Sequence, residues 1–218
     1  MSQDEFDGRV RDYLMNNPEV IIQAVQGLEA RKKRADLTEV QDALKARADE
    51  IFRDPDSPVG GNAQGDVTLV EFFDYNCPYC RRMAPVLIDA ESADPKLRIV
   101  FKEFPILGPN SEFAARAALA AQRQNRYVAF HHALMGVKGT VNEDSVLTAA
   151  ADVGLDIERL KADMQEPTIQ GAIDRNLALA AALRINGTPG FVIGDQILRG
   201  ATELNVLQGM INQARKPK

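Results

Sequence analysis

The chain holds two cysteines, Cys77 and Cys80. They lie where one periodicity gives way to another. "DVTLVEFFDY", 66–75, is rich in β-branched and aromatic residues and short, as a strand is. "CRRMAPVLIDAESA", from Cys80 onward, has helical patterning with an expected kink at Pro85. A strand running directly into a helix at "NCPYC" restricts the local fold to an α/β turn with Cys77 at the helix start and Pro78 in its first turn. Exposed N–H groups there favour negative charge, which lowers a thiol pKa and raises its nucleophilic thiolate fraction. Cys80 lies nearly one turn on, within reach of a reversible disulfide. The pair thus reads as a reagent: Cys77 attacks, Cys80 resolves.

Three other roles for a cysteine pair fit this sequence less well. A structural disulfide here would close a very small loop and constrain the unfolded chain little. A closed zinc site needs four ligands, and one C-x-x-C supplies two. The only histidines, His131 and His132, are adjacent and diverge on a helix; they are expected at a helix surface or boundary. Haem attachment needs histidine after the second cysteine, where Arg81 stands.

Residues 1–53 read as helix. Asn17 and Pro18 offer a start signal, and Leu14, Ile21, Ile22, Val25 and Leu28 form an apolar stripe. The basic run Arg31–Arg34 interrupts it and the phase slips, so a joint is expected near 31–36, with Asp36 as a second start. "DPDSPVGGNAQG", 54–65, is a linker by composition. A second strand is expected over 97–105. Residues 110–184 form an Ala-rich helical block broken at Gly136, Gly139, Gly154 and Pro167. "FVIGDQILRG", 191–200, carries a two-residue hairpin signal at Gly194-Asp195, and a final helix follows, capped by Thr202. The fold class is therefore α/β, with a crossover helix implying parallel pairing of the first two strands and the hairpin adding antiparallel ones.

The 218 residues include 26 basic and 31 acidic side chains, net charge −5. That is no footprint for nucleic acid, so no nucleic-acid partner is expected. The basic run reads as a solvated helix face or hinge. No apolar run approaches the length of a membrane span. "MSQDEFDGRV" carries charges where a signal peptide has its apolar region. Either the protein is cytosolic, or this is a mature chain with an added methionine.

At "FFDYNCPYC" followed, beyond the helical block, by "NGTPGF", residues 63–218 resemble the DsbA-like, thioredoxin-fold disulfide oxidoreductases of bacterial envelopes. The resemblance implies a thioredoxin fold over 66–109 and 185–218 with 110–184 as a helical insertion. It also implies a periplasmic location, the signal peptide having been removed. It places a cis-proline turn at Thr188-Pro189, where Thr188 offers backbone groups to an extended peptide. It puts a buried carboxylate at Glu71, beneath the cysteines, able to take or supply a proton; Lys102 on the neighbouring strand is a candidate partner for it. Pro78 and Tyr79 tune the redox poise of the pair. No cofactor or metal is expected beyond the Cys77–Cys80 disulfide itself. The partners implied are cysteine-containing proteins and a membrane reductase or oxidase.

"YLMNNPEVIIQAVQGLEARK" resembles the N-terminal segment of the suppressor-of-copper-sensitivity C proteins and their trimeric relatives. The implied function is a homotrimeric disulfide isomerase assembled through residues 1–53. A short amphipathic helix is marginal alone and needs a surface to pack on; copies of itself or its own catalytic domain are the two candidates. A monomeric DsbA-like oxidase and a thiol-based copper-binding or copper-tolerance protein are the competing functions. A glutathione-transferase-like reading is weaker.

Overall fold

A computed structural model describes residues 1–216 as two units, Met1–Ala43 and Leu44 onward. The first is helical. α1 spans Gln3–Asn16, with Ser2 accepting from the Glu5 N–H as its cap. α2 begins at Glu19 and runs to Ala46 without interruption. The expected joint at 31–36 is therefore corrected: Arg and Lys are good helix formers, and a charge run breaks an apolar stripe without breaking backbone hydrogen bonds. The break falls at Asn17-Pro18. There the Asn17 side chain donates to the Tyr13 carbonyl at 2.8 Å, closing α1.

The second unit is built on a five-stranded sheet in the order β1-β3-β2-β4-β5. β1 is Val59–Gly61, β2 Val67–Phe73, β3 Leu97–Glu103, β4 Gly190–Ile193 and β5 Gln196–Arg199. β2 and β3 are parallel; the other pairs are antiparallel. β2 is central, and every residue of it but Thr68 is buried. A strand covered on both faces needs such a continuous apolar run. β1 lies inside the segment read as a linker, and this is a second correction. Its composition, Val-Gly-Gly, carries no strand signal, and it pairs by backbone alone. Gly61 is required there: its φ is +63° and a Cβ would stand 2.5 Å from the Leu97 carbonyl oxygen.

α3, Ala48–Phe52, precedes the sheet, and α4, Pro78–Ala93, is the crossover between β2 and β3 with Pro85 inside it. The expected helical block comprises α5 Pro109–Ala121, a short 3-10 turn, α6 Tyr127–Met135, α7 Glu143–Asp152, α8 Ile157–Asp163 and α9 Pro167–Ala182. α5 is rich in alanine because it is buried on two sides. Ala114, Ala117, Ala118, Ala120 and Ala121 join the main core, while Ala115 and Leu119 pack with Ile169 and Ile173. α10, Leu204–Ala214, closes the fold; its N-cap is Glu203 rather than Thr202.

Side-chain parity on the sheet decides what meets the cysteines. Leu69, Phe73, Ile99, Phe101, Phe191 and Ile193 share one core with Cys77, Cys80, Met83 and Leu87 of the α4 face. Successive strand residues point to opposite faces, so Glu71 lies on the cysteine side. Lys102 pairs in register with Phe72, not Glu71, and lies on the other.

Candidate active site

Cys77 is the N-cap of α4 and Pro78 its first residue. The turn before it is tightly held: the Cys77 N–H donates to the Asp74 carbonyl at 3.0 Å. Both cysteines are thiols in this structure. Cys77 keeps 4% of its surface exposed and Cys80 none, so an incoming disulfide meets Cys77 first. As a thiol, Cys77 donates to the Thr188 carbonyl at 3.3 Å. The Thr188–Pro189 bond is cis. The two motifs, 111 residues apart, thus meet at one hydrogen bond.

The pair is electrostatically asymmetric. The Cys77 pKa is lowered to about 5, chiefly by the hydrogen bond from the Cys80 thiol; burial opposes this, and the Thr188 side chain and the N–H groups of Cys80 and Tyr79 reinforce it. Cys80 is raised far above an ordinary thiol, first by burial, then by its bond to Cys77 and by Glu71. One sulfur is ready to attack and the other is protonated. Glu71 itself is raised to about 8, first by burial and second by the charge on Cys77. Neither of its carboxylate oxygens has a hydrogen-bond partner. Buried polar atoms are normally paired, so an unpaired carboxyl beside a titrating dithiol is an exception that invites a proton-transfer role.

Lys102 does not partner Glu71, a third correction. Its ammonium donates to the Glu50 carbonyl and Ser57 Oγ, each at 2.7 Å, and to Asp54 Oδ2 at 3.0 Å. It ties the chain after α3 to the sheet. His131 is also not at a surface. It is 2% exposed, lies between Phe73, Phe101 and Tyr127, and its Nδ1 is 3.2 Å from Tyr75 Oη. Tyr75 and Tyr127 both donate to Glu103 Oε1, at 3.0 and 2.7 Å. Burial raises Glu103 well above the usual carboxylate range.

Tyr79, Arg82, Met83, Val86, Thr188, Ala201 and Glu203 line a groove of about 530 Å³ beside the pair. Tyr79 is half exposed, and the Arg82 guanidinium sits 4.6 Å above its ring. Among the described residues no group of three or more histidine, cysteine, aspartate or glutamate side chains could hold a metal ion.

The sequence from 68 to 212 matches the DSBA-like thioredoxin domain. The chain belongs to that family, and this domain is a thiol-disulfide oxidoreductase of the DsbA/ScsC type. Residues 3–35 match the N-terminal domain of the copper resistance protein ScsC. A thioredoxin-like oxidoreductase from Silicibacter pomeroyi DSS-3 is 52% identical, with a TM-score of 0.77 over 78% of this chain and 98% of that one. Proteus mirabilis ScsC is 30% identical, with a TM-score of 0.74 over 98% of this chain and 96% of that one. DsbA of Bordetella parapertussis is 25% identical over 80% of this chain and 89% of its own. Sodium/proton antiporters NhaA also match, that of Herminiimonas arsenicoxydans at 28% identity over 72% of this chain; the chain spans 25% of that protein's length.

Proposed function

We propose that this protein is a homotrimeric disulfide isomerase of the bacterial periplasm, working through Cys77. The Cys77 thiolate attacks a wrong disulfide in a client protein. An S–S bond forms between Cys77 and one client sulfur, and the other client sulfur leaves as thiolate. That thiolate, or another in the client, attacks elsewhere; the last attack falls on the mixed disulfide and restores the Cys77 thiolate. No net electrons move. If rearrangement stalls, Cys80 attacks Cys77 Sγ, the client leaves reduced, and the Cys77–Cys80 disulfide is left for a membrane reductase to reduce.

Cys80 must lose its proton for that escape. In the mixed disulfide Cys77 carries no charge, so one of the two influences raising Glu71 is gone. The carboxylate becomes easier to form, and Glu71 is the proton acceptor. Thr188 and Pro189 hold the client backbone against the sulfur, while Pro78 and Tyr79 set the poise of the pair.

The observation that carries the isomerase over the oxidase reading is the unburied apolar face of the N-terminal helices. Phe6, Val10, Tyr13, Ile21, Ile22, Val25 and Leu28 are all exposed, on a segment matching the ScsC N-terminal domain. Exposed apolar side chains at helical spacing on each of two helices mark an interface. Three copies joined there present three dithiols to one client, raising the effective concentration of thiolate around it. Copper tolerance enters as a second reading through the same domain match, with Cu(I) held by thiolates of facing protomers. Light scattering of the intact chain tests the proposal: a mass of three protomers is expected, and a mass of one defeats it.

A further inference from the structure

Residues 137–141 link α6 to α7, and two side chains from either end of the cysteine motif take up their backbone groups. Asn76, immediately before Cys77, accepts from the Val141 N–H at 2.8 Å and donates back to the Val141 carbonyl at 3.0 Å. Its amide also reaches Ser111 Oγ, at 3.2 Å. Arg81, immediately after Cys80, donates from Nη1 to the Val137 carbonyl at 3.2 Å and to the Gly139 carbonyl. Its Nε donates to the Tyr75 carbonyl at 2.8 Å. The loop is thus bonded at three carbonyls and one N–H to the two residues that bracket Cys77–Cys80.

The turn that delivers Cys77 is fixed from a second side. Asp74 accepts from the Asn76 N–H at 2.8 Å, the Ser111 hydroxyl at 2.7 Å, and the Ile106 and Leu107 N–H groups at 2.9 Å each. Residues 74–77 therefore hang between the strand that leads into them and two parts of the chain far off in sequence.

We propose that Asn76 and Arg81 are positioning residues that make the 137–141 loop of the helical insertion one wall of the dithiol's frame, so that the insertion sets how Cys77 is presented at the head of α4. The physical basis is geometric. Stabilisation of the thiolate depends on the Cys80 thiol and the first N–H groups of α4 converging on one sulfur. Both ends of that first turn are pinned to the loop. Released from it, Cys77 and the N–H groups can move independently, and hydrogen bonds to an anion weaken steeply with distance and angle. The bond pattern of Asn76 is that of a strand pairing with Val141, made by a side chain; no residue without both a donor and an acceptor can supply it.

This rests on Cys77 being the ionised nucleophile, and the test separates the two. The full reduced chain is alkylated with iodoacetamide across pH, and the Cys77 midpoint is read together with the melting temperature. The variants are Asn76→Ala, Arg81→Ala and Arg81→Lys, with Arg116→Ala as the control. Arg116 holds the insertion internally: its hydrogen bonds run to Gln170 Oε1 and the Met164 carbonyl. In Asn76→Ala and Arg81→Ala the midpoint is expected to rise by about one unit, which near pH 5 slows alkylation about fivefold. Arg81→Lys, which keeps a donor, should recover part of the shift, and Arg116→Ala should lower the melting temperature with the midpoint unmoved. Either alanine variant suffices if the other does not fold. An unmoved midpoint in the folded alanine variants, or an equal shift in Arg116→Ala, overturns the proposal and leaves the function standing. A midpoint near that of a free thiol in the unsubstituted protein overturns the nucleophile assignment instead.

Discussion

At the scale of the residue, the chemistry depends on two sulfurs three positions apart having opposite protonation. Cys77 is drawn down to about 5 and Cys80 pushed up. Thiolate absorbance of the reduced protein should therefore rise in one step centred near pH 5. Cys77→Ser should remove the step, while Cys80→Ala, by removing the chief bond to the thiolate, should move it upward. The linkage to stability follows in sign. A thiol whose folded pKa lies below its unfolded one stabilises the reduced protein above the unfolded value, near 8.5, and loses that contribution as pH falls to about 5.

Glu71 has the opposite sign. Its folded pKa lies above the unfolded value, so the carboxyl is harmless below about 4.5 and increasingly unfavourable as pH rises to about 8. At about 1.4 kcal/mol per pKa unit, on the order of 5 kcal/mol is withheld from the reduced state. Glu71→Gln should thus melt higher than the unsubstituted protein at pH 8, with the gain shrinking toward pH 4.5. It should also release clients from the mixed disulfide more slowly, read by quenching with acid and counting trapped complexes. Unchanged melting at pH 8 would show Glu71 to be hydrated or paired.

At the scale of the element, β2 and α4 were legible because their signals are local. A run of apolar β-formers, then Cys-Pro, then helical spacing names a strand, an N-cap and a helix within one window. The Thr188-Pro189 turn was legible by resemblance to a motif. What escaped was whatever depends on register or on distant partners. Proximity of strands suggests Lys102 as a partner for Glu71, and one residue of register puts it on the opposite face. Asp74, Asn76 and Arg81 carry no sign in the sequence that their partners stand at 111, 137 and 141. β1 was missed because a three-residue edge strand of Val-Gly-Gly is specified by the strand it joins. Lys102, with its three partners, belongs to this scale too. Lys102→Met should leave Asp54 partly buried without its cation, destabilising the second unit by about 3 kcal/mol. It should not move the Cys77 titration, and a shift there would show that the two faces of the sheet are coupled.

At the scale of the whole molecule, direction of exchange is not written in the dithiol, since the same thiolate can isomerise or, once oxidised, donate its disulfide. The proposed function gives that choice to the helices of residues 1–43, where Phe6, Val10, Tyr13, Ile21, Ile22, Val25 and Leu28 are exposed. No helix among the described residues is long and apolar enough to cross a membrane. Assembly with copies is the use proposed for the exposed apolar residues of these helices. A deletion should stop at residue 43. Beyond it, Ile51 is buried and Glu50 supplies a carbonyl to Lys102, so a longer cut would damage the second unit and confuse loss of assembly with loss of fold. The decisive measurement is reactivation of a scrambled, disulfide-containing client by the intact chain and by the chain lacking residues 1–43, at equal concentrations of Cys77. The intact chain should restore client activity, and the shortened one, with its Cys77 titration unchanged, should lose most of that ability. Equal reactivation by the two would contradict the claim that assembly selects the reaction.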